Sequence, residues 1–184
     1  QGFNSNLDID WTKRYDEYTN YVSFQSRLNY SYETQKLRAT LGFRYKFNNI
    51  DDLTIGFNAG TKVEQFNAQD PISRFLNDIS SLAFEDNYIK LFEKRFIALQ
   101  YGQELFNGFR IRTSASFENR KALFNTTNYT TFNRDTKAYT SNNPITPSDF
   151  ETAPFENHNI IKFKLDGSIR FGQKYLSYPG SKFN

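Results

Sequence analysis

The sequence predicts an all-β protein: a segment of an antiparallel transmembrane β-barrel, with about seven long strands, part of a larger barrel, and a short helix in a long loop. Three observations carry that reading. Residues 36–47 alternate without a break between two surfaces, Leu37, Ala39, Leu41, Phe43, Tyr45 and Phe47 against Lys36, Arg38, Thr40, Gly42, Arg44 and Lys46. A strand sends successive side chains to opposite faces, so this is a two-faced strand. At about 12 residues it is twice the usual length in soluble proteins and long enough to cross a bilayer at a tilt. The same alternation recurs along most of the chain. Finally, apolar residues make up only 38% while aromatic residues reach 18%, with 20 Phe and 12 Tyr. Mean hydropathy is −0.72. A helical membrane protein needs roughly 20 consecutive apolar residues, and a disordered chain is poor in aromatics. A barrel needs only every second residue to face lipid.

The first strand is expected at 3–11, with Phe3, Leu7, Ile9 and Trp11 on one face. The second is 20–32, where Val22, Phe24, Leu28, Tyr30 and Tyr32 oppose Ser23, Gln25, Arg27 and Asn29. The third is 36–47. The fourth, 52–64, sets Leu53, Ile55, Phe57, Ala59 and Val63 against Thr54, Asn58, Lys62 and Glu64. Glu33-Thr34-Gln35 and Asn48-Asn49-Ile50-Asp51 read as hairpin turns. Residues 66–94 break the period. Asp70-Pro71 is a helix start, and Ile72, Phe75, Leu76, Ile79 and Leu82 follow helical spacing, which predicts an amphipathic helix at 71–83. Alternation returns at 95–105 with Ile97, Leu99, Tyr101 and Leu105, and Asn107-Gly108 signals a tight hairpin into 109–118. Residues 121–157 are irregular, with Pro144, Pro147 and Pro154, and the last strand is 159–171.

Seven strands cannot close a bacterial single-chain barrel, which has an even number. Position 1 is not Met and the closing turn Tyr178-Pro179-Gly180 points onward, so the chain (1–184) reads as part of a larger barrel. Barrels have short periplasmic turns and long extracellular loops. The short connections at 48–51, 107–108 and 177–181 alternate with the long ones at 66–94 and 121–157, which places the long loops outside the cell.

Several segments add a resemblance: Ile79-Ser80-Ser81-Leu82 through Asn87-Tyr88-Ile89-Lys90-Leu91-Phe92-Glu93-Lys94; Glu104-Leu105-Phe106-Asn107-Gly108 followed by Arg120-Lys121-Ala122-Leu123-Phe124-Asn125; and Tyr139-Thr140-Ser141-Asn142-Asn143-Pro144 with Phe155-Glu156-Asn157-His158, Gly172-Gln173-Lys174-Tyr175 and Pro179-Gly180. With them the chain resembles part of the barrel of large Bacteroidota outer-membrane proteins of unassigned function, which carry a carboxypeptidase-regulatory-like β-sandwich before the barrel. The resemblance implies a longer parent with a periplasmic domain upstream and more strands downstream. It supplies no catalytic residues. By analogy it suggests an accessory subunit of an outer-membrane complex.

The residues for chemistry are sparse. Cysteine is absent, and His158 is the one histidine, so thiolate, histidine-base and histidine-metal sites lack their parts. Asp149 with Glu151, or Asp51 with Asp52, lacks the spacing of a calcium loop. The expectation is no catalysis and no cofactor. Trp11, Tyr30, Tyr32, Tyr45, Phe47, Tyr101 and Phe171 lie towards strand ends, where interfacial aromatic girdles form.

The lipid-facing set is expected to be Leu37, Leu41, Phe43, Leu53, Ile55, Phe57, Ile111, Phe163 and Leu165. The lumen-facing basic set is Lys36, Arg38, Arg44, Lys46, Arg110, Arg112, Lys162 and Lys164, which either attracts anions or pairs with Asp8, Asp10, Asp52, Glu64, Glu104, Glu118 and Asp166. Basic and aromatic residues lie on opposite faces, so nucleic acid is not an expected partner. The expected partners are outer-membrane lipid and other outer-membrane proteins. The sequence therefore points to a structural or accessory component of an outer-membrane complex. Two alternatives are a porin-like channel for anionic solutes and a soluble β-barrel binding an apolar ligand.

Overall fold

A computed structural model of the chain describes residues 4–15, 20–47, 52–66, 88–125 and 140–172. They form seven strands: β1 (Asn4–Arg14), β2 (Tyr21–Ser31), β3 (Lys36–Lys46), β4 (Thr54–Gln65), β5 (Leu91–Phe106), β6 (Phe109–Ala122) and β7 (His158–Ile169). All belong to one antiparallel sheet in simple sequence order, β1 to β7. Only β1 and β7 have a free edge, and the sheet is not closed. The described residues contain no helix. The helix expected at 71–83 and the turns at 48–51 and 177–181 lie outside them.

Strand placement follows the alternation closely; β1 runs on to Arg14, three residues past its expected end, and three further corrections follow. The fifth strand begins at Leu91, not at 95, so 91–94 belong to the sheet and not to the loop. The sixth runs to Ala122, which takes 121–122 from the loop expected at 121–157. The start of β5 carries no apolar-polar alternation because both faces are covered there, and at the end of β6 the small Ala122 is buried beside an exposed Lys121. Phe92 is buried on one face while Glu93 is buried on the other. Backbone pairing still continues, from Gln65↔Leu91 on one side to Phe92↔Ala122 on the other. Leu53 falls just before β4 and not in it; its carbonyl accepts the Phe47 N–H at 2.9 Å, within the connection that also holds Asp52 at φ 48°.

Two glycines set local geometry. Gly108 has φ +85° and completes the expected hairpin turn, and its carbonyl accepts the Arg170 N–H at 2.7 Å. Gly60 has φ +146°, and a Cβ there would sit 2.2 Å from the Ala39 carbonyl oxygen. The β3–β4 ladder ends at this pair, Thr40↔Gly60, whereas β4 stays paired with β5 as far as Gln65. The upper part of β4 therefore leaves β3 at Gly60 and follows β5.

The fold has almost no interior of the usual kind. Among the described residues the buried hydrophobic side chains are Ile89, Phe92 and Ala122, all at one end of the sheet. The large hydrophobics along the rest of the sheet are exposed or half-buried, Phe163 and Ile161 being among the exposed and Phe57 and Ile111 among the half-buried. Burial of apolar surface is the main favourable term in folding, so this sheet as it stands leaves that term unused over most of its area.

Candidate functional site

Register turns the alternation into two continuous surfaces. One row of paired residues on the outer face reads Trp11, Phe24, Phe43, Phe57, Leu99, Ala115, Phe163 from β1 to β7. The next row is Ile9, Ser26, Leu41, Ala59, Ile97, Phe117, Ile161. Every strand residue of the predicted apolar set falls on this face: Leu37, Leu41, Phe43, Ile55, Phe57, Ile111, Phe163 and Leu165. Along one strand the apolar positions run from Leu37 to Tyr45, or from Ile161 to Ile169. Eight residue steps of ~3.3 Å span roughly 27 Å along a strand. Aromatic pairs mark the ends of the band. Tyr30 meets Tyr32 edge-on at 5.0 Å at one end, and Tyr45 meets Phe47 at 4.4 Å at the other.

The opposite face is polar and concave. It encloses a trough of about 2040 Å³ lined by residues such as Asn6, Asp8, Arg27, Thr40, Asn58 and Gln100. That exceeds the ~300–1,000 Å³ of a small-molecule pocket. Two glycines on this face leave room for long neighbouring side chains. Gly42 lies under the Asn58 amide and Gly56 under that of Gln100. The curl brings side chains together across intervening strands. Asp52 pairs with Lys46 at 2.6 Å and also with Arg110, from β3 and β6.

The eight predicted basic residues share this face by register, and most are paired. Lys46 and Arg110 hold Asp52, and Arg38 meets Glu93 at 2.9 Å. Lys162 reaches Glu118 at 2.9 Å and Lys164 reaches Asp166 at 3.1 Å. Arg27 grips Asp8 through two hydrogen bonds of 2.6 and 3.1 Å. Lys36, Arg44 and Arg112 have no carboxylate within ion-pair distance among the described residues. Glu104 serves the backbone instead, accepting the Gly108 N–H at 2.8 Å.

The rim at the start of β5 and end of β6 is built differently from the wall. Glu118, 5% exposed, accepts from Lys162 and Arg120 and lies 3.5 Å from Lys94, which in turn reaches Glu64 at 2.7 Å. Phe66, Phe92 and Phe155 pack together, and the Arg120 guanidinium lies over the Phe92 ring. Across this cluster runs the segment containing Ser141, Asn142 and Asn143, which are only 2%, 6% and 6% exposed. The Asn142 side chain closes a two-bond ring on Leu91, accepting its N–H at 2.8 Å and donating to its carbonyl at 2.7 Å. It also donates to the Leu123 carbonyl at 2.6 Å, so it ties the segment to both β5 and the chain leaving β6. Lys90 donates to the Ser141 carbonyl beside it.

Asn142→Ala removes these three bonds and leaves half-buried backbone groups of Leu91 and Leu123 without their partner, at about 1–3 kcal/mol. Faster hydrogen exchange at the Leu91 amide and new protease cleavage within 140–150 are the expected result. Unchanged exchange at Leu91 counts against the clamp.

The remaining candidates have structural roles. His158 opens β7, with Nδ1 2.8 Å from the Glu156 carbonyl and its ring edge-on to Phe155. Asp149 accepts the Thr152 and Glu151 N–H groups at 2.9 and 3.0 Å. The Thr152 backbone N–H, the Thr152 side chain and the Glu151 N–H together hold this exposed carboxyl below its ordinary value of 3.8. Its contribution to the turn is complete above that value and is lost as pH falls through the lowered one. Among the described residues no group of three or more His, Cys, Asp or Glu side chains is placed to hold a metal ion.

Sequence patterning brought out both faces but not the rim. Alternation alone makes Arg38 one of a stripe of lumen cations, and the broken period over 66–94 puts its partner Glu93 in a loop. The burial of Ser141-Asn142-Asn143 left one trace, an Asn pair ahead of Pro144, which patterning by hydrophobicity does not register.

Among known families, the profile described as "Family of unknown function (DUF5686) C-terminal domain" matches residues 1–184. No curated protein and no solved structure matches the chain.

Proposed function

The chain belongs to the DUF5686 family as its C-terminal domain, and within that family we propose that it forms part of the wall of a transmembrane β-barrel in a bacterial outer membrane. There it acts as a structural or accessory component of an outer-membrane protein complex, without catalysis. One observation carries the reading. A continuous exposed apolar face spans all seven strands, opposite a polar trough, and the only buried hydrophobic cluster among the described residues sits at the rim. Soluble monomers rarely expose contiguous apolar patches beyond a few hundred Å². Bilayer lipid supplies the missing apolar partner, and the backbone bonds of the sheet satisfy its polar groups where no water is present. Tilted at the ~40° of barrel strands, an apolar run of roughly 27 Å gives a band roughly 20 Å tall, somewhat short of the ~25 Å apolar belt of outer-membrane barrels. An apolar ligand in the trough, as in a soluble barrel, would meet amide and charged groups.

Phe57→Arg and Leu41→Arg place a guanidinium in the middle of that band. Each costs roughly 2–4 kcal/mol if the band lies at the bilayer midplane. The expected result is reduced outer-membrane assembly of the full-length protein, read by fractionation and blotting. Wild-type membrane levels would contradict the facing assignment.

Lys36, Arg44 and Arg112, which have no carboxylate within ion-pair distance among the described residues, favour a second reading, a conduit for anionic solutes. In planar bilayers a conduit gives steady anion-selective current that Arg44→Gln with Arg112→Gln reduces. An accessory barrel with a closed rim gives no steady conductance.

A further inference from the structure

The loop that closes over the rim presents one hydrophobic side chain outward. Ile145 is 78% exposed, three residues from Asn142, which is buried at 6%. Its position is fixed by the loop's own hydrogen bonds. The Ser141 N–H donates to the Pro147 carbonyl at 2.7 Å and closes the loop. Asn143 Oδ1 accepts the N–H groups of Ile145 and Thr146 at 2.9 and 3.1 Å. The Asp149 N–H donates to the Thr146 carbonyl at 3.0 Å and continues the chain into the turn held by Asp149. Pro144 and Pro147 flank the tip and fix two further backbone torsions. Below, the Asn142 clamp fastens the loop to the sheet.

A loop organised in this way has already lost the entropy that binding usually costs. Presenting an isoleucine to water from such a loop gains nothing for the fold itself. The loop's own charge is one-sided: residues 140–157 contain Asp149, Glu151 and Glu156 and no lysine, arginine or histidine, in a chain with net charge +3, and Lys90 meets the loop at its base, on the Ser141 carbonyl. Phe150 adds a second, smaller apolar contact at 37% exposure.

We propose that the 143–151 loop is a protein-docking tip. Ile145 enters an apolar socket on a partner protein, and the socket is surrounded by basic residues that face Glu151 and the neighbouring carboxylates. An anionic lipid surface fits poorly, because the tip carries the same sign of charge. This deepens the accessory-component reading and relies on it only for there being a protein partner; the geometry of the loop holds with or without the membrane.

The test uses the full-length protein in its native membranes, with a photo-crosslinking amino acid at position 145 and, as a control at the same end of the sheet, at position 33. Membrane assembly of each variant is measured in the same samples, so a failure of the barrel reading is seen separately. The expected result is an intermolecular adduct of one discrete mass from position 145 and none from position 33. Its yield should drop several-fold when Glu151→Lys and Glu156→Lys are combined, and also at high salt. Three results would overturn the proposal: no adduct in a correctly assembled protein, an adduct confined to the same polypeptide, or a yield indifferent to charge reversal.

Discussion

Gly60→Val is expected to separate β4 from β3 and to lower the stability of the full-length protein by roughly 2–6 kcal/mol, the sum of a strained backbone and an overpacked contact. Both terms arise at one atom. At φ +146° a side chain is strained whatever the space around it. Its Cβ would also lie 2.2 Å from the Ala39 carbonyl oxygen and 2.6 Å from the Thr40 Cα, both of them backbone. A flexible side chain could swing aside; the neighbouring strand cannot do so without giving up the pairs Thr40↔Gly60 and Leu41↔Ala59. The measurement is the thermal unfolding midpoint in detergent, together with the loss of a compact, unheated band on a gel. Wild-type behaviour in both would mean that β4 does not branch from β3 at this residue.

Glu93→Ala is the second large effect, at about 3–5 kcal/mol, because it strands the Arg38 guanidinium in a buried site. The two side chains are only 7% and 9% exposed and meet at 2.9 Å. They come from β3 and β5, on either side of the part of β4 that has left β3. The pair therefore bridges the gap that the departure of β4 opens. A double variant, Arg38→Met with Glu93→Leu, removes both charges and should recover most of the loss, since paired replacement by apolar residues is often neutral. If Glu93→Ala unfolds at the wild-type midpoint, the pair is not buried in the assembled protein. A double variant as unstable as the single one would point to packing at the rim as the cause.

The strands were legible because a period of two survives wherever one face is apolar and the other polar. From Leu37 to Tyr45 nothing interrupts it, and β3 begins and ends within a residue of its expected bounds. Legibility fails where that contrast fails. At Leu91–Lys94 the chain is covered on both faces, by aromatic packing at Phe92 and by an ion pair at Glu93, so the code for facing disappears while backbone pairing goes on. The site shows the same division. The facing of Arg44 or Phe57 follows from parity alone. The pairing of Arg38 with Glu93, 55 residues away, depends on how far the sheet curls and where β4 branches. The Asn142 clamp depends on a side-chain amide acting as backbone, which no period of apolar and polar residues encodes.

The most direct test of the central claim is a spin-label scan of β3 in the full-length protein reconstituted in a bilayer. The chain has no cysteine of its own, so each label reports one position in it. Labels at 37, 41, 43 and 45 should be accessible to oxygen and shielded from a water-soluble nickel complex. Labels at 36, 40 and 44 should show the reverse, with a period of two. Nickel access at the odd positions, or no alternation at all, would contradict an apolar face lying in lipid and leave the exposed band in need of a protein partner instead.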